Sequence, residues 1–243
     1  MIHKLLLINV LFFFCIPTLG QDAGSVPAPS TPGAMLASAR THVENGDAQA
    51  AVAVLEQLAA GGFTGVTAIT GDAVLNRLAG EPAYDDLVAA MSVQAFPCEH
   101  DQRFREFDFW IGDWDVHVAG GQFAGHNRIT AEQAGCVLVE SWASATGGTG
   151  HSINYFDEAR GDWVQIWNDS GGNQIQIRGG LTPSGMLLTG TIHYVATDQT
   201  AGFRGLWTPL EDGRVRQFFE QSNDGGETWA PWFEGFYTRR SKP

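Results

Sequence analysis

Between Phe107 and Arg239 the chain falls into short strand-like segments with no helical stretch between them. The candidates are 107–118, 122–131, 134–145, 150–157, 162–169, 173–179, 185–194, 201–209, 213–222 and 228–239. Turn signals separate them: Gly120-Gly121, Gly147-Gly148, Asp157 to Gly161, Ser170-Gly171-Gly172, Pro183-Ser184-Gly185, Asp212-Gly213 and Asp224-Gly225-Gly226. Links this short cannot hold the crossover that parallel strands need, so neighbouring strands must run antiparallel. A meander of about ten strands hides its edges by closing on itself, which predicts a β-barrel over residues 98–240.

The preceding stretch has a different period. From Ala34 to about residue 95, Ala and Leu recur at helical spacing. Met35, Leu36, Ala39 and Val43 line one helix, which stops at Asn45-Gly46. Asp47 is placed to cap a second, whose face is Ala51, Val54, Leu55 and Leu58 and which ends at Gly61-Gly62. A further pair follows, with Asp72 capping a short helix through Leu78 and Pro82 starting another through Met91. The fold class is therefore α+β in sequence order: a helical unit, then the barrel. All eight Trp lie in the barrel segment, which supports two distinct parts.

The N-terminal residues bear on location. Leu5 to Ile16 is almost wholly apolar, Pro17 breaks it, and Thr18-Leu19-Gly20 puts small residues before Gln21. This reads as a signal peptide over 1–20, followed by a Pro/Ala/Ser/Gly linker over 21–33, and predicts a periplasmic or secreted protein with no membrane span after processing. Cys15 lacks the small residues that precede a lipidated cysteine. The remaining cysteines, Cys98 and Cys136, suggest one disulfide in an exported chain. The net charge of −13 argues against nucleic acid as a partner.

Several stretches resemble known families. The hairpin around Asn45-Gly46-Asp47 resembles one tetratricopeptide repeat, with Ala39, Gly46, Ala51 and Leu55 where that repeat puts small and apolar residues. This implies either a protein-docking unit or a plain helical cap. Gly112-Asp113-Trp114 with Arg239-Arg240 is similar to the lipocalin and wider calycin arrangement, which implies that Trp114 closes the barrel base beneath Arg239. FDFWIGDWDV, with GHNRI, GCVLVESW, SINYFDEARGDWVQIWND and DGRVRQFFEQS, resembles a bacterial family of secreted proteins with an FDFWxGxWDV signature. That family carries no assigned activity to transfer. Ser222, Asp224, Gly226, Thr228 and Trp229 match the Asp-box, a β-hairpin turn device known from sialidases; it stands here once, without the arginines and Tyr–Glu pair of those enzymes.

A calycin-like barrel holds its ligand inside. Three period-two faces mix aromatic and polar residues: Leu138, Glu140 and Trp142; Ser152, Asn154 and Phe156; Trp163, Gln165, Trp167 and Asp169. If they point inward, Glu140, Trp142, Asn154, Gln165 and Trp167, with Gln217 on a later strand, would line a site for a small hydrophobic or amphipathic molecule. The alternative is a barrel filled by its own side chains. Glu140 is the residue of most chemical interest. Inward, it would be desolvated and fit for acid–base catalysis; outward, it would meet water or Arg128. No motif for a metal, a nucleophilic triad, a phosphate loop or a dinucleotide occurs, so no cofactor is implied. Haem-binding barrels of this kind use a His near the last strand, where this chain has Tyr237 to Arg240.

Overall fold

The computed structural model describes residues 31–240. The signal peptide and the linker up to residue 30 lie outside the described residues. Helix α1 spans Pro32–Glu44, two residues earlier than the apolar pattern alone suggests. The reason is local: Thr31 Oγ1 accepts from the Ala34 amide at 3.3 Å and Pro32 occupies the first turn. Helix α2 (Ala48–Ala60) is capped by Asp47, whose carboxylate accepts from Ala50 N at 3.0 Å. A short α3 (Val66–Thr70), not evident in the pattern, precedes a 3-10 turn at Leu75–Leu78. Asp72 accepts from the amides of Val74 and Leu75 and from Arg40, and so ties that turn to α1. Helix α4 covers Pro82–Ala95. Ala39, Val43, Ala51, Leu55, Leu58, Ile69 and Leu75 form a helical core distinct from that of the barrel.

Ten strands follow: β1 (Gly112–Val118), β2 (Phe123–Glu132), β3 (Val137–Ser144), β4 (Thr149–Asp157), β5 (Asp162–Asp169), β6 (Gln174–Thr182), β7 (Gly185–Tyr194), β8 (Gln199–Pro209), β9 (Val215–Ser222) and β10 (Ala230–Arg239). Each pairs antiparallel with the next. β10 returns to β1 in a register from Trp114↔Arg239 to Val118↔Gly235, which closes the barrel.

The first strand is shorter than its composition suggests. Residues 107–111 are not strand; Asp108–Trp110 is a 3-10 turn and β1 begins at Gly112. The turn drives Phe107 and Trp110 into the base of the barrel. They stack at 5.0 Å, and Phe107 sets its edge against Trp163 and Trp207. Burying four such rings outweighs continuing the strand by five residues.

Trp114 sits above this plug and donates through Nε1 to Trp110 O at 2.9 Å. The Arg239 guanidinium lies 4.4 Å from its ring and donates to Ile111 O at 3.2 Å. Gly112, at φ +152°, makes room: a Cβ there would stand 2.5 Å from Arg239 Nη1 and 3.2 Å from the Trp114 ring. Spacing of glycine and tryptophan thus has a steric cause.

Two other elements pin the barrel. Cys98, in α5 (Pro97–His100), is bonded to Cys136 in the β2–β3 turn. The β9–β10 turn is built by Ser222 and Asp224. Ser222 Oγ donates to Asp224 and accepts from Gly226 N at 2.8 Å; Asp224 accepts from Thr228 N at 2.9 Å. These bonds hold the Asp224 carboxyl far below its ordinary range. Trp229 donates to Gly226 O and carries Arg204 over its ring at 4.4 Å.

Candidate functional site

Alternation along the barrel strands decides which side chains point inward. On β3 the inward set is Leu138, Glu140 and Trp142; on β4 it is Ser152, Asn154 and Phe156; on β5 it is Trp163, Gln165 and Trp167. Leu138, Phe156 and Trp163 join the aromatic base. With Ser152 and Asn154 buried behind them, Glu140, Trp142, Gln165 and Trp167, nearer the opposite rim, border a cavity of about 280 Å³. It is lined by Glu140, Gln165, Gln217 and Tyr237 below, and by Ala124, Trp142, Ser144, Trp167, Ile175, Phe219, Trp232 and Phe233 around its walls. The barrel is therefore neither empty nor full: one end is packed solid and the other is hollow.

Glu140 is 5% exposed and points into this space. Arg128, on the outer face of β2, turns toward Asp113 instead. Glu140 Oε1 accepts from Asn127 Nδ2 at 2.7 Å, and its Oε2 accepts from Ser152 Oγ at 2.7 Å. Loss of water is the main influence on this group and raises its pKa above the ordinary carboxyl range. The bonds from Asn127 and Ser152, and the more distant charge of His151, oppose that rise.

The carboxyl anchors a network with a fixed direction. Leu138 O can only accept, so Asn154 must turn its Nδ2 toward it, at 3.1 Å. The same nitrogen donates to Ser152 Oγ at 2.8 Å. Asn154 Oδ1 then faces Gln165 Nε2 at 2.8 Å. Gln165 is left with Oε1 as the end not used by the network. On the other side, Asn127 Nδ2 also donates to Tyr237 OH at 3.2 Å, and that hydroxyl donates to Gln217 Oε1. Gln217 is left with its Nε2. β5 and β9 stand four places apart in the ring of strands, so the two amides face each other across much of the barrel. Burial, and then the neighbouring Glu140, push the Tyr237 hydroxyl well above its usual pKa.

The structure brings Glu140, Trp142, Gln165, Trp167 and Gln217 to one cavity. Asn154 lies one bond behind it, fully buried. Asp169, the last member of its face, turns away: it accepts from the amides of Gly171 and Asn173 in the β5–β6 turn. Asn127 and Tyr237 are central to the network and were not evident as site residues. Each does stand in a period-two register with inward neighbours, Gly125 and Ile129 for one, Gly235 for the other.

Elsewhere, Asp115 meets His126 Nδ1 at 2.7 Å and Arg240 at 3.2 Å on the barrel exterior. Among the described residues, no group of three or more His, Cys, Asp or Glu side chains is placed to hold a metal ion. The helical unit carries a groove of its own, bordered by Met35, Leu58 and Phe63. Among the described residues, no helix is long and apolar enough to cross a membrane. Neither a protein-family description nor a curated protein matches this sequence.

Proposed function

We propose that this is an exported binding protein that holds a small hydrophobic or amphipathic molecule in the open half of its barrel. One observation carries the reading: a cavity walled by Trp142, Trp167, Phe219 and Phe233 overlies a hydrogen-bonded belt with unused amide ends. Aromatic walls supply most of the burial, and a few fixed polar groups orient the guest. Export is supported by the Leu5 to Ile16 apolar run and by the disulfide, which persists in oxidising compartments. A calycin-like barrel is supported by the Gly112, Trp114 and Arg239 arrangement at the base.

The test is a titration with a neutral aromatic probe, phenethyl alcohol, followed by intrinsic Trp fluorescence. Saturable quenching is expected. The variant Ala124→Phe, which fills the cavity wall, should weaken it at least tenfold. Absence of saturable binding, or binding indifferent to Ala124→Phe, would overturn the proposal.

One observation favours a second reading, acid–base catalysis at Glu140. A desolvated carboxyl with a raised pKa, bordering a cavity, is suited to exchange a proton with a bound molecule. The two readings separate on Glu140→Gln. A catalyst would lose turnover while still binding its substrate, whereas for a binding protein only affinity would change.

A further inference from the structure

The lining is unbalanced in charge. Among the described residues it holds one carboxyl, Glu140, and no Lys, Arg or His. A buried carboxylate is costly without a counter-charge, and here only the neutral donors Asn127 and Ser152 serve it. The other polar features lean the same way. Gln165 presents its oxygen, and Asn127 Oδ1, buried beside the carboxyl, accepts no hydrogen bond among the described residues. Trp142, Trp167, Phe219 and Phe233 line the walls with aromatic rings, whose π-systems attract cations. Gln217 offers its Nε2 to the cavity, and Gln165 Nε2 keeps one hydrogen that the network does not use. The whole chain, at −13, draws cations toward the barrel.

We propose, on the reading that this cavity takes a small ligand, that the ligand is an organic ammonium on an apolar body, with Glu140 as its counter-charge. The ammonium sits between the carboxylate and Gln165 Oε1, and the apolar body lies against the indoles. In the empty barrel, burial favours the protonated acid. Entry of a cation favours the carboxylate, so binding releases a proton. The titratable groups that act on Glu140 are Tyr237 from β10, which stays neutral, and His151 of β4, which bonds the Glu140 carbonyl from the outer side at 3.2 Å. β2, β5 and β9 contribute the uncharged amides Asn127, Gln165 and Gln217.

The experiment compares three probes of one size, phenethylammonium, phenethyl alcohol and phenylacetate, at about pH 8 and about 0.15 M salt, where long-range attraction is screened. Phenethylammonium should bind at least about tenfold tighter than the alcohol, and phenylacetate weakest. Glu140→Gln should erase the gap between ammonium and alcohol, read as the ratio of the two affinities within the same variant. Should that variant fail to fold, the wild-type pH profile decides. Ammonium affinity should rise with pH from about 5 until Glu140 is ionised, while alcohol affinity stays level. An alcohol that binds as tightly as the ammonium, or an ammonium affinity level across that range, overturns the cation assignment and leaves the binding cavity standing. Failure of the alcohol to bind saturably overturns the cavity reading itself, and this assignment with it.

Discussion

The Trp167 indole lies directly on Gly150: a Cβ at position 150 would stand 2.5 Å from Trp167 Cζ2. Trp142 on Gly125, and Phe233 on Gly235, repeat the relation. The glycines leave room for these rings against the wall, which keeps space open in the lumen. Gly150→Ala should push the Trp167 ring into the lumen. We expect at least a tenfold loss of phenethyl alcohol binding with a stability loss of about 1–3 kcal/mol, the usual cost of overpacking. Titration and urea denaturation on the same variant measure both. Unchanged binding would show that the ring has another place to go.

The base should respond differently. Arg239→Ala removes a cation–π contact and a hydrogen bond to Ile111 O, worth about 1–2 kcal/mol together. Gly112→Ala should cost more, because the new Cβ strains the backbone and displaces Arg239 as well. Neither change should alter affinity for cavity probes, since neither residue borders the cavity. Urea midpoints and the probe titration, run side by side, check the separation.

Glu140 makes stability depend on pH with a definite sign. Its carboxyl holds a proton more tightly in the folded chain than in the unfolded one, where the ordinary value is 4.5. The folded state therefore binds more protons between that value and the raised one, and stability falls as pH rises through this window. Glu140→Gln cannot titrate. The difference in stability between variant and wild type should move in favour of the variant as pH rises from about 4.5, then level off. Urea denaturation of both proteins at a series of pH values tests this. A difference independent of pH would mean that Glu140 is not desolvated.

Cys98→Ser opens a link between residues 38 apart in sequence. The chain-entropy relation puts the loss at about 3–4 kcal/mol. Reduction of the wild type should lower its urea midpoint by a comparable amount and leave the variant's unchanged.

Much of this architecture was readable from residue order. Strand number and antiparallel pairing follow from turn residues, and period-two alternation, a local property, groups the faces of β3, β4 and β5 without telling which of them turns inward. The plug was not readable. Phe107 to Ile111 is aromatic and β-branched, so its composition matches a strand. Only the space left inside the base, a tertiary matter, selects the 3-10 turn. The network was half readable for a related reason. Alternation groups Glu140 with Leu138 and Trp142, yet it cannot tell that this face turns inward, nor that Asn127 and Tyr237, 110 residues apart, meet beside it. That meeting depends on β10 returning to β1.

The Cys98–Cys136 bond encloses the Phe107–Trp110 plug, β1 and β2 in one covalent ring. The segment that stoppers the barrel is thus fastened at both ends, by the sulfur bridge on one side and by strand pairing on the other. On the proposed binding reading a guest has no passage through that floor, and the barrel is a cup rather than a tube. Entry and departure share the rim where Trp232, 43% exposed, meets water. On that reading, changes at Trp232, which stands at the rim and also lines the cavity, should alter both how long a guest stays and how tightly it is held.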